Sequence, residues 1–227
     1  MRRTVIQPAA DAGPDGPVKV IAQVLVEREG QVVKRGSAVI VAAREEYGEA
    51  VCYLLTVGHV LDGRQASDSV QVLLPDGNDW RPVRGEAIQQ VDAGERDLAV
   101  LRAIATCRPA RIGVGPERDG DVWLAGFPGE GQVRVWPGHA REASWFGTLR
   151  WIVEGTVTEG ASGGGVFDAQ TGRLLGLIQG YWTARLVMPG GAIAGVARIG
   201  TAAVIPITRV RALLEEWGFE DLLDSAR

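Results

Sequence analysis

Short apolar runs rich in β-branched residues recur along nearly the whole chain, each closed within a few residues by glycine, proline or asparagine. They occupy residues 18–26, 31–42, 50–56, 70–74 and 98–102, and then 121–125, 132–136, 148–153, 165–168, 174–179 and 193–205. Turn signals such as Glu29-Gly30, Tyr47-Gly48 and Pro75-Asp76-Gly77-Asn78 leave no room for a helix between them. An all-β chain in two clusters follows, joined by a connector near residues 103–110. The one helical signature comes at the end, where Val210, Leu213, Leu214 and Trp217 fall at i, i+3, i+4 and i+7 and Gly218 stands as a stop. No fixed-period repeat is visible, which argues against a propeller or solenoid. The division expected is a flexible arm at 1–17, rich in proline and glycine, a first β unit at 18–105, a second at 106–207, and a helix and tail at 208–227.

Composition removes several classes of function. At 46% hydrophobic and 23% charged residues the chain of 227 residues has enough apolar surface for a sizeable core. Its net charge is −4, so it lacks the overall positive field by which proteins bind nucleic acid. No apolar run approaches the roughly 20 residues needed to cross a bilayer, and none follows the opening Met1-Arg2-Arg3 as a secretory signal would require. A cytoplasmic protein with neither nucleic acid nor membrane as partner is therefore expected. Two cysteines, Cys52 and Cys107, are too few for a disulfide framework and are expected to be reduced.

Three short segments carry the chemistry. His59, one of only two histidines, follows the apolar run ending Leu54-Leu55-Thr56-Val57-Gly58, where a strand end can project an imidazole from a rigid support. Asp97 directly precedes the apolar Leu98-Ala99-Val100-Leu101. A carboxylate drawn partly inward there stays ionised if it accepts a hydrogen bond from an imidazole. Ser162 lies in Gly160-Ala161-Ser162-Gly163-Gly164-Gly165, and glycines let a substrate carbonyl approach main-chain N–H groups, those of Gly160 and Ser162 in this case. Each segment alone has a plainer reading: a packed histidine, a turn aspartate, a glycine-rich hairpin. Their order separates the alternatives. An α/β-hydrolase triad needs a histidine after its serine, and no histidine follows Ser162. The subtilisin order needs an acid before His59, where only turn and arm residues are on offer. His59, Asp97, Ser162 is the chymotrypsin order.

With these residues in hand, the chain resembles the trypsin-like serine peptidases of the chymotrypsin fold, and among them the bacterial HtrA/Deg-type protease domain. Thr56-Val57-Gly58-His59 is similar to that family's Thr-Ala-Ala-His, Asp97-Leu98-Ala99-Val100-Leu101 to its Asp-Leu-Ala-Val-Leu, and Gly160-Ala161-Ser162-Gly163-Gly164 to its Gly-x-Ser-Gly-Gly. The resemblance, which covers roughly residues 18–217, implies two perpendicular six-stranded β-barrels with the active site between them and a C-terminal α-helix. It implies Ser162 as nucleophile, His59 as general base and acid, Asp97 as its orienting carboxylate, and the N–H groups of Gly160 and Ser162 as oxyanion hole. Thr156 would form the base of the pocket for the residue before the scissile bond, favouring a small or medium neutral side chain, and Ile178, Gln179 and Gly180 the strand that pairs with an extended substrate. The function implied is a serine endopeptidase acting on proteins or peptides through an acyl-enzyme, without metal or cofactor; the alternative is a catalytically silent binding or scaffold protein on the same fold.

Two departures qualify the likeness. Ala161 stands where digestive members carry the aspartate that binds a newly released N-terminus, so control by a regulatory protein or ligand is expected in place of zymogen cleavage. Gly58, where alanine is common, is expected to loosen the placement of His59. Of the remaining candidates, His139 is read as an exposed loop residue, Cys107 as a connector thiol, and the tryptophans as core or loop anchors, with Trp182 the one to test for ligand contact.

Overall fold

The computed structural model describes residues 13–91, 96–114, 119–129, 131–145, 148–187 and 193–224, with side chains left undescribed at 143–145, 148–150, 182–187 and 193–199. After a four-residue helix α1 (Asp15–Val18) the first barrel is built from β1 (Ile21–Arg28), β2 (Gln31–Glu46), β3 (Glu49–Thr56), β4 (Ser69–Asp76), β5 (Asp79–Val91) and β6 (Leu98–Ile104). The second contains β7 (Gly120–Gly126), β8 (Arg134–Trp145), β9 (Thr148–Glu154), β10 (Gly165–Asp168), β11 (Leu174–Val187) and β12 (Ile193–Pro206), followed by helix α2 (Ile207–Glu216). Each set closes on itself through antiparallel pairs, in the order β1-β2-β3-β6-β5-β4 and β10-β11-β12-β9-β8-β7. The fold is the chymotrypsin fold. No helix among the described residues is long and apolar enough to cross a membrane.

The first barrel closes because alternate residues of its strands point inward and are apolar. Along β4 the alternate residues Val70, Val72 and Leu74 are buried while Ser69, Gln71 and Leu73 are not. β3 runs apolar through Leu54 and Leu55 into the turn that carries His59, so the chain leaves the core just where the imidazole is needed. Helix α2 buries Ile207, Val210, Leu213 and Leu214 and stops before Gly218, whose φ of +75° lies in the left-handed region.

Three sequence expectations change. The arm is helical at its last turn: α1 takes residues 15–17 out of it, while 1–12 lie outside the described residues. β5 was not foreseen, because its inward-facing positions supply few apolar side chains and Pro82 and Gly85 interrupt it. Cys52 and Cys107 are not reduced but joined in a disulfide. Cys52 sits on β3 and Cys107 in the connector that returns past it after β6, with Cα atoms 6.1 Å apart, a separation a disulfide spans. Their 55-residue separation in sequence concealed that proximity.

Candidate functional site

The three chemistry-bearing segments come from different strand ends. β3 stops at Thr56, and a 3-10 turn at Gly58–Val60 swings His59 outward, leaving its side chain 43% exposed. Asp97 stands immediately before β6 and is 4% exposed. One of its oxygens accepts the His59 backbone N–H at 2.8 Å; the other lies 2.7 Å from His59 Nδ1 and accepts Gln179 Nε2 at 3.2 Å. Burial pushes the Asp97 carboxyl up, but the hydrogen bonds and charge of His59, with Gln179 adding to them, outweigh it and hold the group below its ordinary value.

The turn bearing His59 is tied down on both carbonyls. Gln90 Nε2 donates to Gly58 O at 3.1 Å and Lys34 Nζ to His59 O at 3.1 Å. Gly58 is buried and its φ lies outside the left-handed region.

On the facing barrel Ser162 lies in a loop that only glycine can build. Gly160 and Gly163 have φ of +90° and +85°. A Cβ at Gly163 would come within 2.0 Å of Ser37 O and 2.2 Å of Thr56 Oγ1, and one at Gly160 within 2.4 Å of Phe127 O. The N–H groups of Ala161, Gly163 and Gly164 donate to Thr158, Ile178 and Ala161 carbonyls. Those of Gly160 and Ser162 donate to nothing among the described residues, and the Glu159 carbonyl is turned to Gly129 N–H at 3.0 Å. Two free donors one residue apart are what an oxyanion needs.

Ser37, which the sequence reading passed over, binds the two halves together. It is wholly buried in β2. Its N–H donates to Ser162 O at 2.7 Å and its hydroxyl to Gly160 O at 2.8 Å; the hydroxyl also accepts Phe127 N–H at 2.8 Å, and its carbonyl accepts Thr56 Oγ1 at 2.7 Å. The available signal was a serine directly before the apolar run 38–42, where a buried hydroxyl must find partners.

Ser162 Oγ donates to Gln179 O at 3.3 Å, and no hydrogen bond joins it to His59 among the described residues. Gln179 occupies a bulge: Ile178 pairs with Val204 and Gly180 with Ala203, leaving Gln179 over and its side chain free to reach Asp97. The structure therefore gathers His59, Asp97, Ser162, Gly160, Ile178 and Gln179. Gly180 follows on the same strand with open space over its Cα, whereas Thr156 is exposed and bonded to none of these among the described residues. His139 belongs to β8, not to a loop, and lies 3.0 Å from Asp121 on the surface. Cys107 is taken by the disulfide, and the Trp182 side chain lies outside the described ones. Among the described residues no group of three or more His, Cys, Asp or Glu is arranged to hold a metal ion.

The family model for the trypsin-like peptidase domain matches residues 36–177, a span that contains His59, Asp97 and Ser162. No curated protein matches the chain in sequence. Solved structures do match in shape. The inactive form of the Rv3671c protease has a TM-score of 0.63 at 19% identity, covering 90% of this chain and 91% of that one. An alanine-for-serine mutant of Rv3671c from M. tuberculosis H37Rv, also an inactive form, has the same score and identity and covers 95% and 96%.

Proposed function

The chain belongs to the trypsin-like peptidase domain family, and from that premise we propose that it is a serine endopeptidase working through a His59, Asp97, Ser162 triad. The observation that carries this reading is the buried Asp97 carboxylate, bonded to both the backbone N–H and the Nδ1 of His59 at 2.8 and 2.7 Å. Asp97 accepts a hydrogen bond from Nδ1–H, which keeps that proton on Nδ1 and leaves Nε2 as the basic nitrogen; it also stabilises the imidazolium once a proton arrives.

An extended substrate lies along Ile178, Gln179 and Gly180. Its N–H takes the Gln179 carbonyl, on which the Ser162 hydroxyl rests, and the hydroxyl turns to His59. Ser162 Oγ then attacks the scissile carbonyl as its proton passes to His59 Nε2. The oxyanion is held by the N–H groups of Gly160 and Ser162, each donor contributing roughly 2.7–4 kcal/mol. His59 gives the proton to the departing amine, leaving an acyl group on Ser162, and water, deprotonated by His59, releases it. A small or medium neutral residue precedes the cleaved bond, by the likeness at Thr156. Buried Ala161 offers no carboxylate to a new N-terminus, which favours control by a partner or ligand. The Cys52–Cys107 bond suits an oxidising compartment better than the cytoplasm.

The second reading, a silent binding protein, draws on the Ser162 hydroxyl resting on Gln179 and not on His59. Labelling with a fluorophosphonate probe separates the two. The endopeptidase labels at Ser162, with labelling abolished in Ser162→Ala and lowered by several orders of magnitude in His59→Ala. Absence of labelling in the native chain favours the silent protein; labelling that survives Ser162→Ala removes the triad.

A further inference from the structure

Away from the cleft, the outer face of β4, β5 and β6 holds a cavity of about 420 Å³, within the size range of ligand sites. Arg64 overhangs it from the loop that starts at His59. Arg84 and Glu86 come from β5, on either side of buried Gly85, and Arg102 and Ile104 from β6. Most of the charge here is already spoken for. Asp68 is held by Arg28 through two bonds of 2.9 and 2.8 Å, and Arg102 is bound to Glu46 at 3.1 Å. Glu86 reaches Arg102 only at 3.8 Å and is 67% exposed. Arg64 and Arg84 form no hydrogen bond or ion pair with their side chains among the described residues, and beside them Ile104 is 53% exposed. Two guanidiniums without a side-chain hydrogen bond among the described residues, Arg64 beside the Arg28-bound Asp68 whose carboxyl its charge helps to hold down, thus line one concavity with the loosely held Glu86, the paired Arg102 and an open aliphatic side chain.

We propose that this face is a docking site for an acidic peptide segment, its carboxylates pairing with Arg64 and Arg84 and an aliphatic side chain covering Ile104. Guanidiniums match carboxylates in planar, two-bond geometry, and the apolar contact adds what charge alone lacks. Nucleic acid would ask for a row of cations along its backbone, and here three arginines, one of them bound to Glu46, alternate with the carboxylates of Asp68 and Glu86. The peptide's approach is opposed by Glu86, which makes that residue a brake on affinity. Binding here stands by itself; its use in presenting substrates to the cleft rests on the peptidase reading, since Arg64 and His59 share one loop.

The test uses the full chain carrying Ser162→Ala, so that no cleavage intervenes, and a fluorescein-labelled peptide Asp-Glu-Leu-Glu-Asp followed by fluorescence polarisation. The amide counterpart Asn-Gln-Leu-Gln-Asn serves as the neutral control. The acidic peptide is expected to bind at low salt and to weaken as salt screens it. Arg64→Gln and Arg84→Gln should each weaken it by about two- to fivefold, the size of an exposed ion pair, and together by roughly tenfold. Glu86→Gln should tighten it by about twofold. Affinity unchanged in the double arginine variant, weakened by Glu86→Gln, or equal for the neutral peptide would overturn the proposal, as would no binding. Competition by a thymidine oligonucleotide as effective as by unlabelled peptide would also overturn it. None of these readings depends on whether Ser162 is a nucleophile.

Discussion

Ser37 is wholly buried in a strand whose neighbouring positions are apolar, where a hydroxyl is costly unless bonded, and it satisfies both its donor and its acceptor capacity across the seam to Gly160 and Phe127. Ser37→Ala leaves a buried N–H and a buried carbonyl without their partner, at a cost of about 1–3 kcal/mol. It also frees the Gly160 carbonyl, whose bond to Ser37 anchors the loop between the two candidate oxyanion donors, the N–H groups of Gly160 and Ser162. The expected result is a lower urea midpoint together with fluorophosphonate labelling slowed by about tenfold or more, given what an oxyanion donor contributes. A lower midpoint with unchanged labelling would make Ser37 a structural residue only. Asp97 gives a second prediction at this scale. Its folded-state value is depressed, so the stability it contributes is present above the unfolded carboxyl value and disappears as pH falls through the folded one. Asp97→Asn should therefore cost stability at neutral pH and progressively less on acidification below about pH 4. Turnover at neutral pH should fall by about 10⁴, the figure for the same replacement in chymotrypsin-like triads. A stability gap between the two proteins that widens toward acid would contradict the sign.

At the scale of elements, what the sequence made legible was whatever carries an apolar period. β3, β6, β7 and β10 follow the runs read at 50–56, 98–102, 121–125 and 165–168 to within a few residues, and α2 follows the spacing of Val210, Leu213, Leu214 and Trp217. β5 stayed hidden for a physical reason: Gly85 is its buried residue, so the barrel is closed there by backbone pairing to β4 and β6 and not by a side-chain pattern. Gln179 shows the same limit within the site. Its place on the substrate-pairing strand could be carried over from the family, but its bond to Asp97 depends on a bulge in β11, and bulges leave no composition signal. The candidate triad was readable because each member adjoins an apolar strand or a glycine cluster. The groups that hold it, Lys34, Gln90 and Ser37, were not, because their roles are set by register between strands far apart in sequence.

In the whole molecule the site is a seam: His59 and Asp97 come from the first barrel, Ser162 and Gln179 from the second. Ser37, the Gln23 amide on Gly129 O at 3.0 Å, and the edge-to-face contact of Trp80 with Phe127 at 4.7 Å cross it. The connector crosses as well, with Ala110 N–H on Ile40 O at 2.8 Å and Ile112 bridged to Leu174. Cys52–Cys107 fixes the start of that connector to β3, and β3 leads into the turn bearing His59. Closing a loop of 55 residues restricts the unfolded chain by about 4 kcal/mol on the chain-entropy account. For a chain of this size such a loss lowers the melting temperature by roughly 10 °C. The expected outcome is that reductant lowers the melting temperature of the native protein to that of a Cys52→Ser, Cys107→Ser double variant, on which reductant has no effect. Equal melting temperatures for the oxidised protein and the double variant would mean that the bond adds nothing to stability. A count of two free thiols in the unreduced protein would mean that it does not form. If the bond forms and the shift appears, the connector that leads to the second barrel is anchored to β3 by covalent chemistry, and the stability of the molecule follows the redox state of its surroundings.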